Sequence, residues 1–145
     1  MCSYETSILI AAPRESVWRV LSDVAVWPEW LPTVSSVQPI DGTSLAVGAR
    51  YKLRQPKLPP ATWVVTEVDS PRRFVWRARS PALLMVAEHT VDESQPGHSS
   101  VVLRFAFSGL LGVPVGKLFR SVTERYLSQE VTSLKVTVET LQQRG

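Results

Sequence analysis

A chain of 145 residues, 44% hydrophobic and 20% charged, carries enough apolar material for one packed domain, and its single cysteine, Cys2, excludes an internal disulfide. Net charge is only +3, and no Lys/Arg run or Gly-rich aromatic motif accompanies the basic isoelectric point near 9.4, which argues against a nucleic-acid partner. No stretch approaches about 18 uninterrupted apolar residues, the N-terminus lacks a signal-peptide pattern, and no Cys/His cluster has metal-ligand spacing. The expectation is one cytoplasmic domain over residues 1–145, monomer or homodimer, with no membrane span, no metal and no cofactor.

Tyr4 to Ala11 reads as a first strand, ended by Ala12-Pro13. Pro13 suits the first turn of a helix, and Val17, Val20 and Leu21 then supply one apolar stripe. Trp27-Pro28-Glu29-Trp30-Leu31-Pro32 forms a tryptophan-rich corner, because each proline disfavours helical geometry at the residue before it. Trp27 and Trp30 are read as half-buried packing or cavity-mouth residues. Six strands follow, over Val34 to Ile40, Ala49 to Gln55, Thr62 to Val68, Arg73 to Arg79, Leu83 to Val91 and Ser99 to Ser108, separated by Gly- and Pro-containing turns.

Period-two alternation assigns faces to these strands. Charges at Arg50, Lys52, Arg54, Arg73, Arg77, Arg79, Glu88 and Arg104 must face water. That turns Tyr51, Leu53 and Gln55 inward, with Phe74, Trp76 and Ala78, with Leu83, Met85, Ala87, His89 and Val91, and with Val101, Leu103, Phe105 and Phe107. Taking Glu67 as outward places Thr62, Val64, Thr66 and Val68 inside and Trp63 outside. Tyr4 and Thr6 add further inward polar atoms.

From Val113 to Gln143 the apolar residues Val115, Leu118, Phe119, Val122, Tyr126, Leu127, Val131, Leu134, Val138 and Leu141 recur mostly at three- and four-residue steps, predicting one long helix of roughly 45 Å. The economical architecture is α+β: a curved seven-stranded antiparallel sheet wrapped around the C-terminal helix, with two short helices after the first strand. Such a closure leaves room for an apolar small molecule. The ligand-contacting candidates are Trp27, Trp30, Tyr51, Leu53, Thr66, Trp76, Met85, His89, Leu103, Phe105, Phe107, Leu118, Phe119, Val122 and Tyr126.

The order of elements, the segment Val17-Trp18-Arg19-Val20-Leu21-Ser22-Asp23 followed by Trp27-Pro28-Glu29-Trp30, Val65-Thr66-Glu67-Val68 with Pro71 and Trp76, Glu88-His89, and Phe107-Ser108-Gly109-Leu110-Leu111 together resemble the START-like helix-grip (SRPBCC) superfamily, in its bacterial polyketide cyclase/dehydrase branch. The resemblance covers essentially the whole chain. It implies a helix-grip fold with a cavity between sheet and terminal helix, holding a lipid, polyketide or other apolar ligand. Some members catalyse cyclisation and dehydration of a poly-β-keto chain, and others act as chaperone activators through their outer surface.

Three functions are therefore open. The first is binding of a hydrophobic small molecule. In the second, the chain is a cyclase/dehydratase with His89 as acid/base and Tyr51 in support, since histidine alone titrates naturally near neutral pH. The third is a protein-interaction module. His89 is equally readable as a hydrogen-bonded core residue, and Tyr51 and Trp76 as packing. No inward carboxylate pair, Gly-x-Ser-x-Gly elbow or Gly-rich phosphate loop is visible, which removes glycosidase, hydrolase and nucleotide-binding readings.

Overall fold

In the first strand, β1 (Cys2–Ile10), Tyr4, Thr6, Ile8 and Ile10 turn inward while Ser3, Glu5, Ser7 and Leu9 face solvent, the pattern of a strand with one covered face. The computed structural model describes residues 1–144, so position 145 of the expected domain lies outside the described residues. Pro13, with extended backbone, precedes α1 (Arg14–Ser22), which buries Val17, Trp18 and Leu21. A 3-10 segment (Val24–Glu29) forms the tryptophan corner and buries Val24 and Trp27. Trp27 is 1% exposed, not half-buried, and its indole N–H donates to the Leu21 carbonyl at 3.0 Å.

An antiparallel meander follows: β2 (Ser36–Pro39), β3 (Arg50–Arg54), β4 (Ala61–Asp69), β5 (Arg73–Ser80), β6 (Leu83–Gln95) and β7 (His98–Ser108). β1 closes it beside β7, giving the order β1-β7-β6-β5-β4-β3-β2. Seven strands were expected and seven are present among the described residues.

β4 departs from the expected faces. Trp63 is 3% and Val65 1% exposed, both inward, whereas Thr62 and Thr66 face solvent. The cause is a β-bulge: Val65 pairs with Trp76, but the next partner of β5, Val75, pairs with Glu67, so Thr66 is an extra residue. An extra residue inverts the alternation. Counting from Glu67 is right after the bulge, where Val68 packs on the core, and wrong before it.

The C-terminal region is two helices, not one. α2 (Gly112–Leu118) and α3 (Arg120–Arg144) meet at Phe119. α2 lies on the end of the sheet at backbone contact. A Cβ added to Gly116 would stand 2.7 Å from Cys2 Cβ, and one on Gly112 would stand 2.9 Å from the Phe107 carbonyl oxygen. Only glycine permits that approach. α3 then crosses the sheet face, burying Thr123, Leu127, Val131, Leu134 and Val138 against β1, β7 and α1. Its far end is tied to β1 by Lys135 Nζ donating to the Leu9 carbonyl at 3.1 Å and by Glu139 accepting from the Ala11 amide at 2.8 Å.

The outer face of the sheet is less basic than a count of its arginines suggests. Arg73 bridges Glu67 at 2.9 Å and Glu88 at 2.6 Å and donates to Thr90 Oγ1 at 2.9 Å, while Arg104 approaches Glu88 at 3.7 Å and Arg50 pairs with Asp41 at 3.0 Å. No helix among the described residues is long and apolar enough to cross a membrane.

Candidate functional site

Cross-strand pairing explains why the concave face is hollow. Small Ala78 lies opposite Met85, and small Ala87 sits between Trp76 on β5 and Phe105 on β7. Aromatic side chains stand around these alanines, and α3 spans the gap above. A cavity of about 490 Å³ results, within the size range of small-molecule sites. Its wall is an aromatic array with ring centroids 5.6 Å apart for Trp63 and Trp76, 5.3 Å for Trp27 and Trp76, 5.7 Å for Trp63 and Phe105, and 5.0 Å for Phe105 and Phe107.

Ten of the fifteen candidates from the sequence line this space: Trp27, Leu53, Trp76, Met85, His89, Leu103, Phe105, Phe107, Phe119 and Tyr126. The other five do not. Tyr51 is fully buried in the core and its hydroxyl donates to the Thr43 carbonyl at 3.3 Å; burial and the charge of Asp23 push its phenol up from its ordinary value. Thr66 is the bulge residue, facing solvent and donating to the Val75 carbonyl at 3.3 Å. Leu118 is 77% exposed, because it ends α2 rather than continuing the stripe of α3. Val122 precedes the buried Thr123 and lies off the lining side, and Trp30 borders a small neighbouring crevice instead.

One lining element, the β3–β4 loop, carried no weight in the sequence. Leu58, Pro59 and Pro60 of the β3–β4 loop fold over the cavity edge, and the hydroxyl of Tyr126 on α3 donates to the Pro56 carbonyl, joining that loop to the helix. Trp63 was lost to the bulge. Its apolar company with Val65 against polar Thr62 and Thr66 was the signal that would have set the phase correctly.

Three polar groups stand out in this apolar space. The indole N–H of Trp63 has no hydrogen-bond partner. His89 is 3% exposed, stacks on Phe74 at 4.0 Å with planes 9° apart, and has Nδ1 3.3 Å from the Phe74 carbonyl oxygen. A carbonyl only accepts, so Nδ1 carries the proton and Nε2 is left as an acceptor. Burial, aided by the charge of Arg73 against the opposing hydrogen bond, lowers the His89 pKa from 6.5 to about 3, so the ring is neutral.

Glu130 is the third, and nothing in the sequence reading singled it out. It occupies the buried stripe of α3, three residues after Leu127 and four before Leu134, where an apolar residue belongs. It borders both the cavity and the small crevice formed with Leu21, Trp27, Trp30, Leu31 and Leu103. No cation or donor acts on it, and desolvation alone raises its pKa from 4.5 to about 7. Among the described residues no group of His, Cys, Asp and Glu side chains could hold a metal ion.

A seven-stranded antiparallel sheet gripping a long C-terminal helix, with short helices after the first strand and a cavity between, defines the START-like helix-grip class. The sequence matches the family model described as polyketide cyclase / dehydrase and lipid transport over residues 1–139, and the chain belongs to that family. No curated protein matches it. Among solved structures, it is similar to the Zhui aromatase/cyclase from Streptomyces sp. R1128, with a TM-score of 0.77 at 19% identity over 94% of this chain and 93% of that one. A START superfamily protein from Mycobacterium smegmatis gives 0.75 at 15% identity, covering 97% and 99%. A hypothetical protein from Helicobacter pylori gives 0.77 at 15%, covering 94% and 86%. At these identities the likeness is one of fold.

Proposed function

We propose that this protein binds a flat, largely apolar small molecule of aromatic or polyketide character in the cavity between sheet and α3. The observation that carries the reading is the combination of a 490 Å³ space, an aromatic wall and a bordering carboxyl, Glu130, with no cation beside it. Flat rings match the indole and phenyl faces, which favour offset or edge contacts at the distances seen. Unpartnered polar atoms cost stability in an apolar surrounding, and a ligand that supplies their hydrogen bonds relieves that cost. The family's description is consistent with such cargo.

A thermal-shift panel of polycyclic aromatics, sterols and fatty acids tests this, because a ligand bound only by the native state must raise Tm. At least one aromatic should do so, and Met85→Trp, which fills the lined space, should abolish the shift while leaving the protein folded. Absence of any shift across the panel, or an equal shift in Met85→Trp, would count against the reading.

The pairing of His89 and Glu130 in one cavity favours a second reading, catalysis. A carboxyl titrating near neutrality is matched to general acid/base work, whereas a ring held near pKa 3 is too weak a base at neutral pH. Ionised Glu130 would take a proton from a methylene flanked by carbonyls and return it to the developing alkoxide during ring closure, with His89 Nε2 accepting a hydrogen bond from the substrate. Tyr51 takes no part, being bound in the core. Under this reading Glu130→Gln eliminates turnover of a poly-β-keto substrate, whereas His89→Ala only reduces it. The interaction-module reading draws least support, since it needs no hollow under α3.

A further inference from the structure

We propose that Glu130 is the specificity residue of the cavity, admitting a ligand that presents an uncharged hydroxyl to the α3 side and excluding one that presents a carboxylate there. The inference rests on the ligand-binding reading above and names the chemistry its ligand must have.

Glu130 gives the cavity a polar end. On the α3 side its carboxyl borders the cavity, and the Nδ1 hydrogen bond of His89 leaves Nε2 as an acceptor. The Trp63 and Trp30 indole N–H groups, also without partners, are buried within the wall. A ligand that meets Glu130 carries a donor at the α3 end. A phenol-type hydroxyl provides the donor without adding charge. A carboxylate at the same end would set two anions together in an apolar space with no cation to share, where like charges cannot both stay ionised.

No other side chain serves as the missing counter-charge. From β6, Glu88 is held by Arg73 and Arg104 on the outer face, and His89 is neutral. From β7, Arg104 points to Glu88. On α3, the Tyr126 hydroxyl is used by Pro56. The tryptophan corner and α1 contribute only Trp27, Trp30, Leu31 and Leu21. Arg79, at the end of β5, also lines the cavity and pairs with no acidic side chain in the described residues, yet it exerts no pull on Glu130. A bound carboxylate could therefore find relief at Arg79 only by reversing its direction in the cavity.

Matched probes separate the alternatives: 2-naphthol, 2-methoxynaphthalene and 2-naphthoate, titrated into wild type, Glu130→Gln and Glu130→Leu by tryptophan fluorescence at about pH 6 and about pH 8. The naphthol stays un-ionised and the naphthoate ionised over this range. Wild type should bind the naphthol at least about tenfold more tightly than the naphthoate at the higher pH, with a smaller gap at the lower pH where Glu130 is protonated. Glu130→Gln should shrink the gap at least about fivefold and remove its pH dependence. Glu130→Leu should hold the methoxy compound as tightly as the naphthol. Both variants remove an unpaired buried carboxyl and are expected to fold, which their melting curves verify. Equal discrimination in wild type and Glu130→Gln, or naphthoate binding as tight as naphthol in wild type, overturns the proposal. Failure of all three probes to bind wild type overturns the ligand-binding reading itself, a different result.

Discussion

The two faces of the sheet treat polar groups in opposite ways. On the outer face, where water would serve as partner, Arg73 is nevertheless bound to Glu67, Glu88 and Thr90. On the inner side, where water is scarce and an unmet polar group costs most, Glu130 of α3 borders the cavity with no cation or donor acting on it. Packing for stability alone would produce the reverse arrangement. The difference teaches that the inner carboxyl answers to something other than the folded chain, and a cavity ligand is the simplest candidate.

The comparison can be broken by pH, and the largest effect belongs to His89. Its folded pKa of about 3 lies below the ordinary 6.5, so between those values the unfolded chain binds more protons. Stability is thus fully present above about pH 6.5 and is lost as pH falls toward 3, by roughly 4–5 kcal/mol from this residue. Denaturant melts of wild type and His89→Phe across this range should diverge accordingly, with the variant less acid-sensitive.

Glu130 should produce the opposite slope with somewhat smaller size. Its folded pKa of about 7 lies above the ordinary 4.5, so the folded chain binds more protons in between, and stability falls as pH rises through that window by roughly 3 kcal/mol. Glu130→Leu should therefore be more stable than wild type at pH 8, and the gain should shrink toward pH 4.5. A destabilised variant at pH 8 would mean that the carboxyl has a structural partner after all. The outer face sharpens the contrast from below: Arg73→Gln, cutting partly exposed pairs, should cost about 1 kcal/mol or less and lose that effect in high salt.

Much of the fold was legible because its signals are local. Alternation in Arg73 to Arg79 and Val101 to Phe107 set the inner faces of β5 and β7, and with them Trp76, Leu103, Phe105 and Phe107 at the cavity. What the sequence hid depends on events between elements. One extra residue at Thr66 inverted the front half of β4, and the terminal helix breaks at Phe119 after a first segment that two glycines seat on β7 and β1, which leaves Leu118 in solvent. Tyr51 had the right face but a partner in the β2–β3 loop that no periodicity reports. Glu130 was overlooked because a single acidic residue in a charged helix looks solvated until the sheet beneath it is known.

The claim that the hollow under α3 is a ligand site is tested most directly by the five tryptophan indole N–H signals in an ¹⁵N correlation spectrum, followed while 2-naphthol is added. Trp27, Trp63 and Trp76 line the cavity, whereas Trp18 is buried in the core without lining it. The account predicts ring-current shifts at Trp27, Trp63 and Trp76, whose rings form the cavity wall, and none at Trp18. Unmoved indoles at saturating probe, or a Trp18 shift as large as that of Trp63, would contradict it.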